Sequence, residues 1–199
     1  QIDSLANAMQ LNLPLSLYFH NDEPNPNTRD SLTTLSYTDA FDSYMALKET
    51  YVQKFASVLG GNAKSQAERQ MRTFFDQSVT QGLQQLKDFA QQLEEAMALG
   101  ARIDLRLKGF TSPLTDSDYN TLLAKRRISS VANYLKSYKE GVLLPYFESG
   151  KLSLVELPLG ETQVNMEVSD NPNDRRNSVY SIKAARERRI EIQSISVEF

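Results

Sequence analysis

Residues 109–135 read GFTSPLTDSDYNTLLAKRRISSVANYL, a polar turn running into an amphipathic helix predicted from about Ser117 to Tyr138. Within it Leu123, Arg127, Val131 and Leu135 form a strict i, i+4 series, so Arg127 stands in line with the apolar face. Asn120 precedes it by two helical turns and shares nearly the same face. A guanidinium placed there must find an anionic partner or reach solvent, because unpaired burial is costly. Two readings stay open. Arg127 either makes a structural ion pair or snorkels out, or it is a carboxylate-binding arginine whose site opens beside the preceding loop.

Just upstream, ARIDLRLKG (101–109) alternates cleanly, with Ile103, Leu105 and Leu107 inward and Arg102, Asp104, Arg106 and Lys108 outward. That is a half-buried strand. Downstream, Lys151 to Leu159 predicts a strand of imperfect phase, and Arg188 to Ser196 another with Ile190 and Ile192 on one face. The polar loop SDNPNDRRNSVY (169–180) and a short helix near 181–187 lie between them.

Toward the N-terminus, Leu13, Leu15, Leu17 and Phe19 alternate with Pro14, Ser16, Tyr18 and His20, which predicts the first strand. The prolines and asparagines of NDEPNPNT (21–28) make a loop. From about 31 to 59 the spacing turns helical, with an aromatic stripe of Tyr37, Phe41, Tyr44, Tyr51, Phe55 and Val58. Gly60-Gly61 ends that helix, and Ser65 with Glu68 match a capping box for the next. The second stripe, Met71, Phe74, Phe75, Val79, Leu86, Phe89, Leu93 and Met97, predicts a helix of up to about 50 Å, with Gly82 a possible break or bend. The order is β-α-α-β-α-β-α-β. It predicts an α+β fold with helices on one side of a small sheet.

Composition narrows the function classes. The 199 residues suffice for a core without staples. A net charge of −3 and a pI near 5.3 argue against nucleic acid as partner. Cysteine is absent, which excludes disulfides and thiolate chemistry. No apolar stretch reaches the length of a membrane span. QIDSLANAMQ carries no export signal, so a signal for an exported parent protein is expected outside this sequence.

The motif around Arg127 is similar to the signature of the OmpA-like, peptidoglycan-binding domain family. That signature runs Gly-His-Thr-Asp, a spacer, Leu-Ser, two residues, Arg-Ala, then Val and Leu. Gly109-Phe110-Thr111-Ser112, Asn120, Leu123, Arg127, Val131 and Tyr134-Leu135 align with it without a gap. Gly160-Glu161 resembles the Gly-Glu before the last loop. Arg188-Arg189-Ile190-Glu191-Ile192 resembles the closing Arg-Arg-Val-x-Ile strand, and Leu17-Tyr18-Phe19 sits where the first strand would. The match covers about 110 to 120 of the 199 residues. GFTSPL, NSVYSIKAARERR and the long helical stretch are similar to OmpA-like domains of Bacteroidetes. Those often end outer-membrane lipoproteins, among them the peptidoglycan-anchoring component of type IX secretion.

The resemblance implies a single domain over 1–199, with the β-α-β-α-β-α-β two-layer sandwich of the family. A helical hairpin at about 31–99 expands it after the first strand. It implies a non-catalytic, periplasmic module, tethered to the outer membrane through another part of the protein, with neither cofactor nor metal. The ligand it implies is the diaminopimelate of the peptidoglycan stem peptide, and other outer-membrane or secretion-system proteins are the expected partners. By position the ligand-binding residues are Asp22, Phe110, Thr111, Ser112, Asn120, Arg127 and Arg188, the motif arginine taking the carboxylate. The family's aspartate, which takes the ammonium, is replaced by Ser112, and Phe110 replaces a histidine. Another acid (Asp22, Asp116 or Asp118) supplies the charge, or the site binds more weakly or prefers another ligand, or wall binding is lost and an interaction domain remains.

Other constellations carry less. His20, the only histidine, is expected in a surface or loop-packing role. No Gly-x-Ser-x-Gly elbow accompanies it. Asp170, Asn173 and Asp174 lack the glycine and glutamate of a calcium loop and read as a polar turn. A wall hydrolase has no visible activated nucleophile.

Overall fold

The computed structural model describes residues 2–111, 117–157, 173–174 and 179–198. It is α+β, built on one four-stranded sheet. Strands β1 (Leu15–Tyr18), β2 (Arg102–Phe110), β3 (Leu152–Glu156) and β4 (Arg189–Glu198) lie in the order β1-β4-β2-β3. β2 and β3 run parallel, while β4 pairs antiparallel with both β1 and β2. The predicted alternation holds: Leu15, Leu17, Ile103, Leu105, Leu107, Leu152, Ile190 and Ile192 are all buried on one face. Arg102 and Arg106 on the other are exposed. An antiparallel or mixed sheet with one wetted face gives this period-two pattern. The register shifts between Arg106 and Leu107, where Gln193 is skipped.

Two helices lay their apolar stripes on the buried face. From α5 (Thr80–Ala98) come Leu86, Phe89, Leu93 and Met97; from α6 (Ser117–Ser137) come Ile128, Val131 and Leu135. An N-terminal helix, α1 (Ile2–Leu11), was not expected from the sequence. It packs Leu5 and Met9 into the same core.

The insertion differs from its sequence reading in detail. The 31–59 stretch forms two helices, α2 (Tyr37–Ala46) and α3 (Lys48–Ala56), separated by Leu47 alone. The first begins at 37 because Ser36 and Asp39 make a reciprocal capping box. Val58 falls beyond α3 and is exposed rather than part of the stripe. Nor does Ser65 cap a helix: Gly60 is the N-cap of α4 (Gly61–Thr73), leaving Ser65 inside it. A π-helical turn over Phe74–Val79 joins α4 to α5. That wider turn lets the adjacent rings of Phe74 and Phe75 both be buried. With Tyr44, Tyr51, Phe55, Met71 and Ala185 they form a second core, which reaches the sheet through Tyr18.

Gly82 neither breaks nor bends the helix into two; it allows close packing. A Cβ built there would lie 2.5 Å from the backbone oxygen of Ser16 in β1. Because that atom is backbone, the strand itself would have to move. Gly82→Ala is therefore expected to lower stability by about 2 kcal/mol, the overpacking cost exceeding the gain of roughly 1 kcal/mol in helix propensity. Urea denaturation checks this, and a stabilised variant would contradict it.

The remaining elements are α7 (Leu144–Glu148), which was not anticipated, and α8 (Ile182–Glu187), which was. β3 ends at Glu156 and β4 starts at Arg189, each within a few residues of expectation.

Candidate functional site

The expected site lies where the exit of β1, the end of β2, the middle of α6 and the start of β4 converge. Arg127 is fully buried on α6, as its place in the apolar series required. Its partners are not those expected. It does not reach solvent and, among the described residues, pairs with no carboxylate; it donates from Nε to the Glu23 carbonyl (2.9 Å), from Nη1 to that of Phe110 (3.3 Å) and from Nη2 to that of His20 (3.2 Å). Its guanidinium also lies 5.2 Å from the Phe19 ring centroid. The planar fork thus satisfies carbonyls of irregular backbone that would otherwise be buried without donors. Burial first, then the charges of Arg188 and Arg126, push its pKa down to about 9.

Arg126 was missed by sequence reading. It too is fully buried. It donates from Nε to the Pro24 carbonyl (2.6 Å) and from Nη1 to those of Thr28 (3.0 Å) and Asp30 (2.8 Å), with Nη2 3.5 Å from Asp22 Oδ1. It staples the 22–30 loop to α6. The available signal was a second arginine beside the first, and a proline-rich loop whose carbonyls need donors from elsewhere.

Asp22, expected near the ligand's charge, is engaged within this loop. Held at φ 59°, it accepts hydrogen bonds from the Asn27 amide (2.8 Å) and the Tyr119 hydroxyl, and pairs with Arg126. Glu23, not singled out from the sequence, has its carboxyl raised above the usual range by burial and by Asp22. The two arginines of α6 act in the opposite direction.

Arg188 sits between α8 and β4, almost wholly buried. Nη2 donates to the Tyr51 hydroxyl (3.1 Å) and to the Val179 carbonyl (2.8 Å). Among the described residues its Nε and Nη1 are buried without a hydrogen bond of ordinary geometry. Tyr51 belongs to α3 and also meets His20 Nδ1 at 2.7 Å, so the insertion closes over this arginine. Among the described residues the Tyr44 hydroxyl makes no hydrogen bond of ordinary geometry, though it lies close to Arg188 and Tyr51. Burial, then Tyr51, drives its pKa well above the ordinary tyrosine range. His20 takes the packing role rather than a surface one: partly buried, its ring lies tilted against Tyr44 and edge-on to Tyr51, with centroids 6.0 and 5.6 Å away. Burial, then Arg188 and Arg127, hold its pKa at about 4.

Of the expected residues, the structure gathers Arg127, Arg188, Asp22 and the Phe110 carbonyl around His20. The Phe110 ring itself lies under Arg189, 4.0 Å from guanidinium to centroid. Asn120 and Thr111 are partly buried at the edge of this region, while Asp118 is exposed in the first turn of α6. Ser112, Asp116, Gly160-Glu161 and Asp170 lie outside the described residues. Among the described residues no group of three or more histidines, aspartates or glutamates could hold a metal ion, and no helix is long and apolar enough to cross a membrane. Compared with protein-family models, curated proteins and solved structures, the chain matches none.

Proposed function

We propose that this chain is a non-catalytic, OmpA-like module that binds the diaminopimelate-containing stem peptide of peptidoglycan. Through it, an outer-membrane-associated assembly, of the kind that serves type IX secretion, is anchored to the cell wall from the periplasm. One observation carries the reading: among the described residues, Arg188 keeps two buried donor nitrogens without a hydrogen bond of ordinary geometry, beside Arg127 and close to the Tyr44 hydroxyl. Unpaired buried donors cost stability, and a carboxylate ligand would satisfy them with charge-assisted bonds. Three buried guanidinium groups, Arg126, Arg127 and Arg188, lie near one another, the first two beside the carboxyl of Glu23 and the third beside that of Glu187. Glu23, whose carboxyl is partly buried, joins Asp22 as an acid able to meet the ligand's ammonium. The mixed α+β architecture around one four-stranded sheet supports this reading.

A second reading is favoured by Tyr51. Because α3 seals Arg188 and backbone carbonyls occupy Arg127, the domain would then have lost wall binding and serve as an interaction module.

Titration of a diaminopimelate-containing muropeptide into wild type and Arg188→Met separates the two. Arg188 is the better probe than Arg127, which holds the fold. The first reading expects wild type to bind and R188M to lose at least about tenfold in affinity, as for loss of a charge-assisted pair. Apo stability should stay within about 1 kcal/mol, since the lost bonds to Tyr51 and Val179 offset the relieved donors. No binding by wild type sides with the second reading. Turnover of the muropeptide would refute a non-catalytic role.

A further inference from the structure

On the outer face of the insertion, α4, the π-helical turn and α8 enclose an open groove of about 970 Å³. Its cations are Arg69, Lys183 and Arg186, and its amides Gln66, Gln70 and Gln77; hydroxyl and apolar side chains line the rest, with no acid among the lining residues. This is a local excess of positive charge on a chain whose net charge is −3. Arg69 and Arg186 are both exposed. Neither is in an ion pair among the described residues, and Arg186 lies 5.9 Å over the Phe74 ring. The neighbouring cations on the same insertion, Lys48 and Arg72, are by contrast paired with Asp76 and Glu49. The groove wall also includes Gln77 and Ser78 of the π-helical turn, and π-bulges occur frequently at functional sites.

We infer that this groove binds an extended acidic peptide segment of a partner protein. A glutamine carboxamide offers both a donor and an acceptor, as a peptide unit does. Gln66 and Gln70, one turn apart on α4, and Gln77 of the π-helical turn all line the groove and can pair with a main chain. Arg69 and Arg186 then take carboxylate side chains bidentately. Phe55 and Phe74 at the base of the groove are buried, so they offer no open ring face for a sugar to stack on. That is why a peptide is favoured over an acidic glycan. The site is separate from the arginine cluster around His20 and does not depend on the function proposed for it.

The test is fluorescence anisotropy of a labelled peptide of alternating glutamate and serine. A lysine–serine peptide of equal length and polygalacturonate serve as competitors. Wild type should bind the acidic peptide, and Arg69→Glu with Arg186→Glu should weaken it at least about tenfold, with added salt weakening it further. Arg69→Glu alone, at an exposed position, should cost about threefold, and it keeps the test valid should the double variant unfold. Muropeptide binding should be unchanged in both, which separates this site from the first. Equal affinity in wild type and R69E/R186E, equal binding of the lysine–serine peptide, or tighter binding of polygalacturonate would each overturn the inference.

Discussion

Arg127→Met is expected to destabilise the protein by about 4 kcal/mol, read as a large drop in the urea midpoint. The variant keeps an apolar stem of similar length on the apolar face of α6, so packing loss is small. What it removes is one group that satisfies three backbone carbonyls, those of His20, Glu23 and Phe110. A buried acceptor left unmade costs roughly 1–3 kcal/mol, and partial relaxation of the loop keeps the sum below the simple total. Arg127→Lys should recover only part of the loss, because a single ammonium lacks the planar fork that spans three directions. A methionine variant within 1 kcal/mol of wild type would show that water or loop movement replaces the arginine without difficulty.

Stability is also expected to fall by up to about 3 kcal/mol as pH drops from 6.5 to 4, through His20. Its folded pKa is about 4, against an ordinary value of 6.5. Between those values the unfolded chain binds a proton that the folded chain refuses, so the unfolded state gains as pH falls. Above pH 6.5 neither state is protonated, and below 4 both are, so the slope vanishes at each end. His20→Gln should remove this slope. The difference between the two proteins isolates it from Glu23, whose raised carboxyl acts in the opposite sense. Since His20 is the only histidine, its ring protons give the only histidine signals in a proton NMR titration. A midpoint near 6.5 in the folded state would contradict the prediction.

Local periodicity made much of the fold legible. The alternation from Arg102 to Lys108 defined β2 and its inward residues. The i, i+4 series from Leu123 to Leu135 defined the buried face of α6. Both signals survive because burial of one face is enforced within a few residues of chain. The short helix before β4 was legible for a similar reason. What periodicity could not give were breaks set by single caps: Ser36 with Asp39 starts α2 later than the apolar stripe suggests, and Leu47 alone divides α2 from α3. Gly82 was ambiguous in sequence. Its meaning depends on the Ser16 carbonyl, which approaches from another strand.

The sequence by itself determined that Arg127 faces the core and that Arg188 opens the last strand. Only the tertiary structure decided what those charges meet. Two of the three carbonyls that hold Arg127 come from a stretch more than 100 residues earlier, and the hydroxyl that meets Arg188 comes from 137 residues away. A side chain's facing is fixed by the geometry of its own helix or strand. Its partner is fixed by which irregular backbone the folded chain brings alongside, and that depends on long-range packing rather than on spacing. For the same reason Arg126 escaped notice, although it holds the 22–30 loop as firmly as its neighbour holds the ends of the strands.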